Sequence, residues 1–500
     1  MRGAVRWFIL SVYFLAIVAG ILSVFRYPGD KTVFALFGVV VFAIAAFAIR
    51  SPRQYAHFFL GIAWFLGFWV KYEFHAASGS SYFEPHGSFD GSRAGWDAVF
   101  LVVGIGGAGY LAGRLIALPV VGPATAALRR AIEVPAWWTG YRNLLWLAAG
   151  LLVLAMVTVN AEFGLFVRGY VAQVILPWPL GGLFAWLSEI GVALLLALFL
   201  AWDREAGFGI SRGFVALCVE SALFSISTLS RGVYFFHTLP PLITESAKEH
   251  VRNGRRPLAL MIAIWVGLGA CIPAATTALR LFGDNAVPTT QAQLVASRSG
   301  PITRSTTDLG LSGLWGHAAT MAQLLVIDRW TGLEGVMATV AYPEKNLALM
   351  VEAAAKRRSY GTVDVYTGKI SGSGFSETDA KTYHFATLAG PVAFFYFSGS
   401  LVLVFAGMAF LAVLVSAVEL LWRWLVRDDL LIAIGGLYLA LVVLQFSGGA
   451  IQAATGVVAA TAVFAAIRGL ILFSAGMLKA PQREPDQHDA GGKACQRNLT

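Results

Sequence analysis

Arginines beside apolar segments are the first residues in this sequence whose type suits a definite chemistry. Arg231 lies in STLSRGVYFFHTLPP, and Arg168 lies in NAEFGLFVRGYVAQVILPWP. A guanidinium group presents a planar fork of donors that matches a phosphate or a diphosphate. Arg231 is therefore a candidate for holding a phosphate at the level of the lipid headgroups, and Arg168 is placed on the same outer face. For Arg231, an interfacial residue that contacts lipid phosphates is the alternative interpretation.

The segment LLVIDRWTGLEGVMA places an arginine, a tryptophan and a carboxylate next to two glycines. Arg329 suits a phosphate, and the ring of Trp330 suits the face of a sugar. Glu334 lies between Gly332 and Gly335, which allow a backbone or a ligand to approach closely. These residues predict a sugar-phosphate site with Glu334 as a candidate base. A local ion pair in a folded loop is the alternative.

Two histidines are further candidates. His384, in TYHFATLAGPVAFFYFSGS, precedes an apolar segment and has an ordinary pKa near neutrality, as a general acid or base requires. His237 precedes Pro240 and Pro241, which kink or break a helix. Because broken helices at membrane depth line cavities, His237 is a candidate substrate-binding residue. A packed histidine explains its position equally well.

Cofactor chemistry has no signature in this sequence. No His, Cys, Asp or Glu spacing is typical of a metal site, and no glycine-rich phosphate loop is present. We therefore predict neither a metal nor a nucleotide. The net charge of +9 does not indicate nucleic acid, because the basic residues form short clusters beside apolar runs, where they orient membrane spans.

The elements that must position these residues are membrane helices. The chain is 57% hydrophobic and 13% charged, whereas soluble domains carry about 25% charged residues. Several apolar runs reach the roughly 20 residues that cross a bilayer. We predict an all-α polytopic membrane protein of about twelve transmembrane helices with a large extracytoplasmic loop. The spans are placed near residues 5–25, 32–49, 58–70, 97–117, 143–160, 180–201, 257–281, 392–421, 430–446 and 452–473, with two more within 213–249.

The orientation follows from the positive residues. A single crossing at 213–249 would place Arg252, Arg255 and Arg256 outside, so we predict a helical hairpin that turns near Ser230–Arg231. Both termini are then cytoplasmic. Because the span at 58–70 is short, Lys71 and Tyr72 are expected to extend it by reaching to the interface.

Four regions follow from this topology. Residues 1–282 form a membrane domain that includes the hairpin at 213–249, and 283–390 form an extracytoplasmic lid loop. Within the lid, a helical apolar pattern covers 318–340 and a helix is predicted for 345–358. Residues 391–479 form the C-terminal spans. Residues 480–500 are polar and predict a disordered cytoplasmic tail.

Taken together, several stretches of the sequence resemble the Wzy-like O-antigen and surface-polysaccharide polymerases of bacteria. They are WFLGFWVKYEFH, YFEPHGSFDGSRAGWDAVF, ILPWPLGGLFAWLSEIG, STLSRGVYFFHTLPPL, LLVIDRWTGLEGVMA and YHFATLAGPVAFFYFSGS. The resemblance implies glycosyl transfer between polyprenyl-diphosphate-linked oligosaccharides at the outer face of the inner membrane. It implies that Arg231, Arg329 and Arg168 bind the diphosphate. The expected partners are this lipid-linked glycan, membrane lipids and other envelope-glycan assembly proteins.

Two other classes of function remain open. A secondary transporter or a flippase for lipid-linked glycans would use charged groups at membrane depth, and Glu189 and Glu220 are the deepest carboxylates. A non-catalytic assembly subunit would use the large loop as a surface for partners. A cavity ringed by arginines favours transfer, whereas inverted structural repeats favour transport.

Overall fold

The helices of this protein are seen in a computed structural model, which describes residues 2–51, 53–82, 84–128, 132–177, 179–253, 255–282, 323, 327–328, 330–357, 361–375, 377, 379–381 and 388–477. These residues form helices and connections, with no strand among them. The α-helices are α1 (Arg2–Arg26), α2 (Lys31–Arg50), α3 (Tyr55–Trp64), α4 (Lys71–Ser78), α5 (Arg93–Ala127), α6 (Trp138–Phe163), α7 (Leu180–Trp186), α8 (Val192–Glu205), α9 (Ser211–Ser227), α10 (Arg231–Asn253), α11 (Arg255–Phe282), α12 (Leu333–Ala341), α13 (Leu347–Ala355), α14 (Gly390–Tyr396), α15 (Leu401–Val426), α16 (Asp429–Leu444) and α17 (Ala450–Met477).

Six helical stretches in the described part of the chain are long and apolar enough to cross a membrane. They are Lys31–Arg50, Arg93–Ala127, Trp138–Phe163, Leu180–Glu205, Leu401–Val426 and Ala450–Phe473. Many of their apolar side chains are exposed, for example Leu147 and Phe410. Exposed apolar faces of this length are stable against lipid tails rather than water. An all-helical fold with several helices long and apolar enough to cross a membrane is confirmed in the described residues.

Close backbone contact joins α5 to α15, the most extensive helix pair of the bundle. Gly109 and Gly113, four residues apart on α5, lie against the backbone of Phe405 and Ala409 on α15. A β-carbon on either glycine would collide with a carbonyl group of α15. Small residues at this spacing allow two membrane helices to approach closely.

The predicted span 392–421 is wrong at its start, because the chain forms two helices there. The short helix α14 ends at Tyr396, and α15 begins only at Leu401. Between them Gly399 has a φ of +72°, and the Ser400 side chain caps α15 by accepting a hydrogen bond from the Leu403 amide. The apolar composition of 390–396 reflects burial inside the bundle instead of the first turns of a span.

The stretch 213–249 contains a helix break at its predicted turn. Leu229 lies in the left-handed region with a φ of +51°, and the Ser230 amide donates to the Ser225 carbonyl. On either side of the break, α9 and α10 pack against each other. The break expected at the prolines is absent, since α10 continues through Pro240 and Pro241.

Part of the predicted lid lies within the bundle. The residues of α12 from Leu333 to Thr339 are buried, and this helix packs on α5 and α14. Gly335 makes the contact possible, because a β-carbon there would collide with the carbonyl of Ala389. The helix predicted for 345–358 is found as α13. Residues 283–322 lie outside the described residues, so the lid as a whole stays a prediction.

Candidate functional site

A buried lysine lies at the end of the helical stretch 55–78. The π-helical segment Phe65–Val70 joins α3 to α4, on which Lys71 and His75 lie four residues apart and so share a face. The Lys71 ammonium donates to Glu334 Oε1 at 2.6 Å, to the Trp330 carbonyl at 2.7 Å and to the Asp328 carbonyl at 3.2 Å. Its side chain is 1% exposed.

The expectation that Lys71 reaches toward the membrane interface is therefore wrong. A lysine extends to water when the interior offers its charge no partner. Here the segment 328–334 supplies a carboxylate and two carbonyl oxygens, which satisfy all three protons of the ammonium group.

A histidine–aspartate pair lies beside this lysine. His75 Nε2 is 2.9 Å from Asp328 Oδ1, and His75 Nδ1 faces the Ser80 carbonyl and hydroxyl at 3.1 and 3.0 Å. The ring of Tyr82 packs on the imidazole, with centroids 4.0 Å apart. The amide of Gln323 donates to the second oxygen of Asp328. Both members of the pair are buried, so these contacts fix the imidazole in one orientation.

Glu334 is the least saturated member of this cluster, which we call the Lys71–Glu334 cluster (Lys71, His75, Asp328 and Glu334). Lys71 contacts one carboxylate oxygen, Oε1, and no described residue hydrogen-bonds Oε2. The pKa of the Tyr82 phenol is raised, mainly by burial and secondly by the negative charge of Glu334. The same two causes raise the pKa of Tyr366 well above its ordinary value. Both phenols thus stay protonated and are able to donate hydrogen bonds.

A narrow apolar cavity adjoins this cluster. Its lining includes Trp64, Phe68, Thr331, Gly332 and Val443. The indole N–H of Trp64 is buried and has no hydrogen-bond partner in the described part of the chain. A buried donor without a partner is uncommon in proteins.

The second group of ionisable side chains joins four separate elements. Arg168 pairs with Glu189 on the π-helical segment Leu187–Gly191, which connects α7 to α8. Behind them, His237 Nδ1 lies 3.0 Å from Glu220 Oε2, and His237 Nε2 lies 2.7 Å from the Glu189 carbonyl oxygen. Glu189 and Glu220, expected to be the deepest carboxylates, thus lie in one cluster.

The remaining predicted residues have different outcomes. Arg231 begins α10 and is partly buried, and the nearby Thr228 carbonyl accepts a hydrogen bond from the Arg168 amide, so both arginines lie at the same end of the bundle. Trp330 is partly buried, and its carbonyl accepts from Lys71. Arg329 and His384 lie outside the described residues. Their convergence with Arg231 or Glu334 therefore stays a prediction.

Lys71 and His75 were missed by the sequence reasoning. Their spacing of four residues on an apolar helix, in WVKYEFH, is the signal that would have found them. Within the described ranges, no group of three or more His, Cys, Asp or Glu side chains could hold a metal ion.

No protein-family model, curated protein or solved structure matches this chain. The fold and the two clusters define a helical membrane protein with ionisable groups buried among its helices. Its function has to be inferred from those groups themselves.

Proposed function

We propose that this chain is a membrane glycosyltransferase that elongates polyprenyl-diphosphate-linked oligosaccharides at the outer face of a bacterial inner membrane. In this proposal the chain has about twelve spans and both termini lie in the cytoplasm. One observation carries it: Glu334 is held by Lys71 through one carboxylate oxygen while the other oxygen has no described partner. A carboxylate fixed in this way is suited to accept a proton from a sugar hydroxyl.

The reaction we propose is a direct displacement. Glu334 accepts the proton of the acceptor hydroxyl as that oxygen forms a bond to the anomeric carbon of the donor glycan. The bond between the anomeric carbon and the diphosphate oxygen breaks, and the diphosphate leaves with the bonding electron pair. Arg168, Arg231 and Arg329 would stabilise the charge on the leaving group. The sugar–diphosphate bond supplies the driving force, so no nucleotide is needed.

The surroundings of Glu334 support a lipid-linked sugar as the substrate. The side chains around Thr331 and Gly332 are mostly apolar, as the surroundings of a lipid-linked substrate would be. Trp330 is partly exposed on the same segment and suits the face of a sugar ring. His384, predicted from the sequence as an acid or base, is the other candidate base.

The test uses the purified full-length chain in lipid nanodiscs and lipid-linked oligosaccharide extracted from cells that lack the chain. We expect Glu334→Gln to reduce elongation by about a hundredfold or more, because general base catalysis contributes about 10²- to 10⁴-fold. Glu344→Gln, which changes an exposed carboxylate ten residues away, is the matched control and should elongate normally. Normal elongation by Glu334→Gln would remove Glu334 as the base, and His384→Gln would then be assayed in the same way.

Arginine variants test the diphosphate contacts. A lysine keeps the charge of Arg231 but loses the two-pronged geometry, so Arg231→Lys should impair elongation less than Arg231→Ala. The same order is expected for Arg329. Normal elongation by both alanine variants would exclude a shared diphosphate site. Movement of the lipid-linked glycan across the bilayer without elongation would favour the transporter alternative.

A further inference from the structure

A buried histidine–glutamate pair between two packed helices takes no part in the proposed transfer. Glu220 on α9 and His237 on α10 are each 1% exposed, and their side chains meet at 3.0 Å. His237 lies six residues from the start of α10, which is about 9 Å along the helix axis. Glu220 Oε1 is buried and has no hydrogen-bond partner among the described residues.

The contacts of His237 determine how many protons the pair holds. The Glu189 carbonyl oxygen can only accept, so His237 Nε2 must carry a proton and donate it. His237 Nδ1 faces a carboxylate oxygen of Glu220, so a second proton must lie between these two atoms. Whether that proton is bonded to nitrogen or to oxygen, the pair holds two protons and has no net charge.

We propose that Glu220 and His237 form a proton-binding site whose occupancy controls the attachment of the segment Leu187–Gly191 to the helical hairpin of α9 and α10. When the shared proton leaves, the imidazole keeps one proton for two acceptors. The anionic carboxylate of Glu220 attracts this proton more strongly than a neutral carbonyl does. His237 then donates to Glu220 and releases the Glu189 carbonyl.

The released segment carries one half of an exposed ion pair. The side chains of Arg168 and Glu189 are 34% and 31% exposed, so this pair is where the cluster reaches the surface. Loss of the proton would leave one net negative charge in the protein interior, which is costly unless a cation approaches. Arg168 is the cation that contacts Glu189, so release of Glu189 allows it to turn inward.

The helices packed around the pair carry other ionisable side chains. Among the described residues, the Glu220–His237 pair has hydrogen bonds only within itself and to the Glu189 carbonyl, and none to α6 or α11. The titratable and charged side chains on the packed elements include Cys218 on α9, Tyr234 and Arg231 on α10, Glu189 and Arg168 at the connecting segments, and Tyr438 on α16. Cys218 and Tyr234 contact each other, so the shared proton has only Glu220 and His237 as its immediate acceptors.

The test counts protons released by the purified full-length chain in weakly buffered detergent solution as the pH is raised from about 6, where exposed carboxylates are already ionised. Glu220→Gln keeps the shape of the side chain and can donate to His237, so it mimics the protonated pair. We expect it to release one proton fewer than the wild-type chain. Glu162→Gln, a change at an exposed carboxylate on α6, should match the wild type.

A second variant covers the case in which Glu220→Gln does not fold, as judged by its elution from a sizing column. Replacing both members of the pair by apolar residues (Glu220→Leu together with His237→Phe) removes both acceptors and should also release one proton fewer. A structural role alone would change the elution of these variants without changing the proton count of the folded fraction. Equal counts in the wild type and in whichever of the two variants folds would overturn the proposal.

Discussion

Replacing Lys71 by methionine should loosen the attachment of α12 to the bundle. The substitution keeps the length of the apolar stem and removes the charged end. It leaves the Glu334 carboxylate and the carbonyls of Asp328 and Trp330 without their donor. Because both side chains are almost fully buried, water cannot replace the ammonium group without the segment opening.

The size of the effect follows from the burial of the pair. Removing one partner of a buried ion pair costs about 3 to 5 kcal/mol, because the other charge stays buried without compensation. Each 1.4 kcal/mol changes an equilibrium about tenfold. The opening equilibrium of the segment 328–341 should therefore rise by about a hundredfold to a few thousandfold.

Glu334→Gln should cost less than Lys71→Met. The lysine retains its two carbonyl acceptors and gains an amide oxygen, whereas the isolated carboxylate has no other described donor. In the double variant no buried charge is left unpaired, so much of the loss caused by Lys71→Met should be recovered. The two substitutions should thus be strongly non-additive.

Hydrogen–deuterium exchange of peptides that cover α12 measures this opening directly. The amides of α6, which does not contact this segment, provide an internal control in the same protein. Exchange at α12 that is the same in Lys71→Met and in the wild type would refute the reasoning. So would a double variant whose loss equals the sum of the two single losses.

Two further predictions concern packing and topology. Gly335→Ala should lower the free energy of unfolding by about 1 to 3 kcal/mol, and with it the thermal midpoint, because its β-carbon would meet a backbone carbonyl. Gly182→Ala on α7, where a β-carbon meets open space, should leave the midpoint unchanged or raise it. In a background without native cysteines, Gly232→Cys should react with an impermeant thiol reagent in intact cells and Asn253→Cys should not. Labelling at both positions would contradict the hairpin.

The long helices were predictable because their apolar length is a local property. The span expected at 32–49 is found as Lys31–Arg50, and the one expected at 180–201 lies within Leu180–Glu205. The helix break after α9 was also predicted, because the positive residues at 252–256 require the chain to return to the cytoplasmic side. Hydropathy failed at 390–400, because a buried short helix and the first turns of a span have the same composition.

The candidate site was only partly predictable, because its contacts are distant in sequence. Glu334 was recognised by its type and its neighbouring glycines. Its partner Lys71 lies 263 residues earlier in the chain, and His75 is separated from Asp328 by 253 residues. A single sequence does not specify which of many polar residues meet across such separations. Lys71 was therefore predicted to extend to the membrane interface, as lysines at the ends of apolar helices commonly do.

Widened helical turns position both ionisable clusters. The π-helical segment Phe65–Val70 directly precedes Lys71, and the π-helical segment Leu187–Gly191 contains Glu189. One residue inserted into an α-helix rotates all later side chains by about 100°, so a straight helix through Phe65–Val70 would direct Lys71 about a quarter turn away from Glu334. In the second widened turn, the backbone carbonyl of Glu189 accepts a hydrogen bond from the His237 side chain. Such turns weaken the regular hydrogen bonding of a membrane helix, where backbone groups have no water to bind. Their presence at these two positions is consistent with selection for the side-chain placement that each cluster needs.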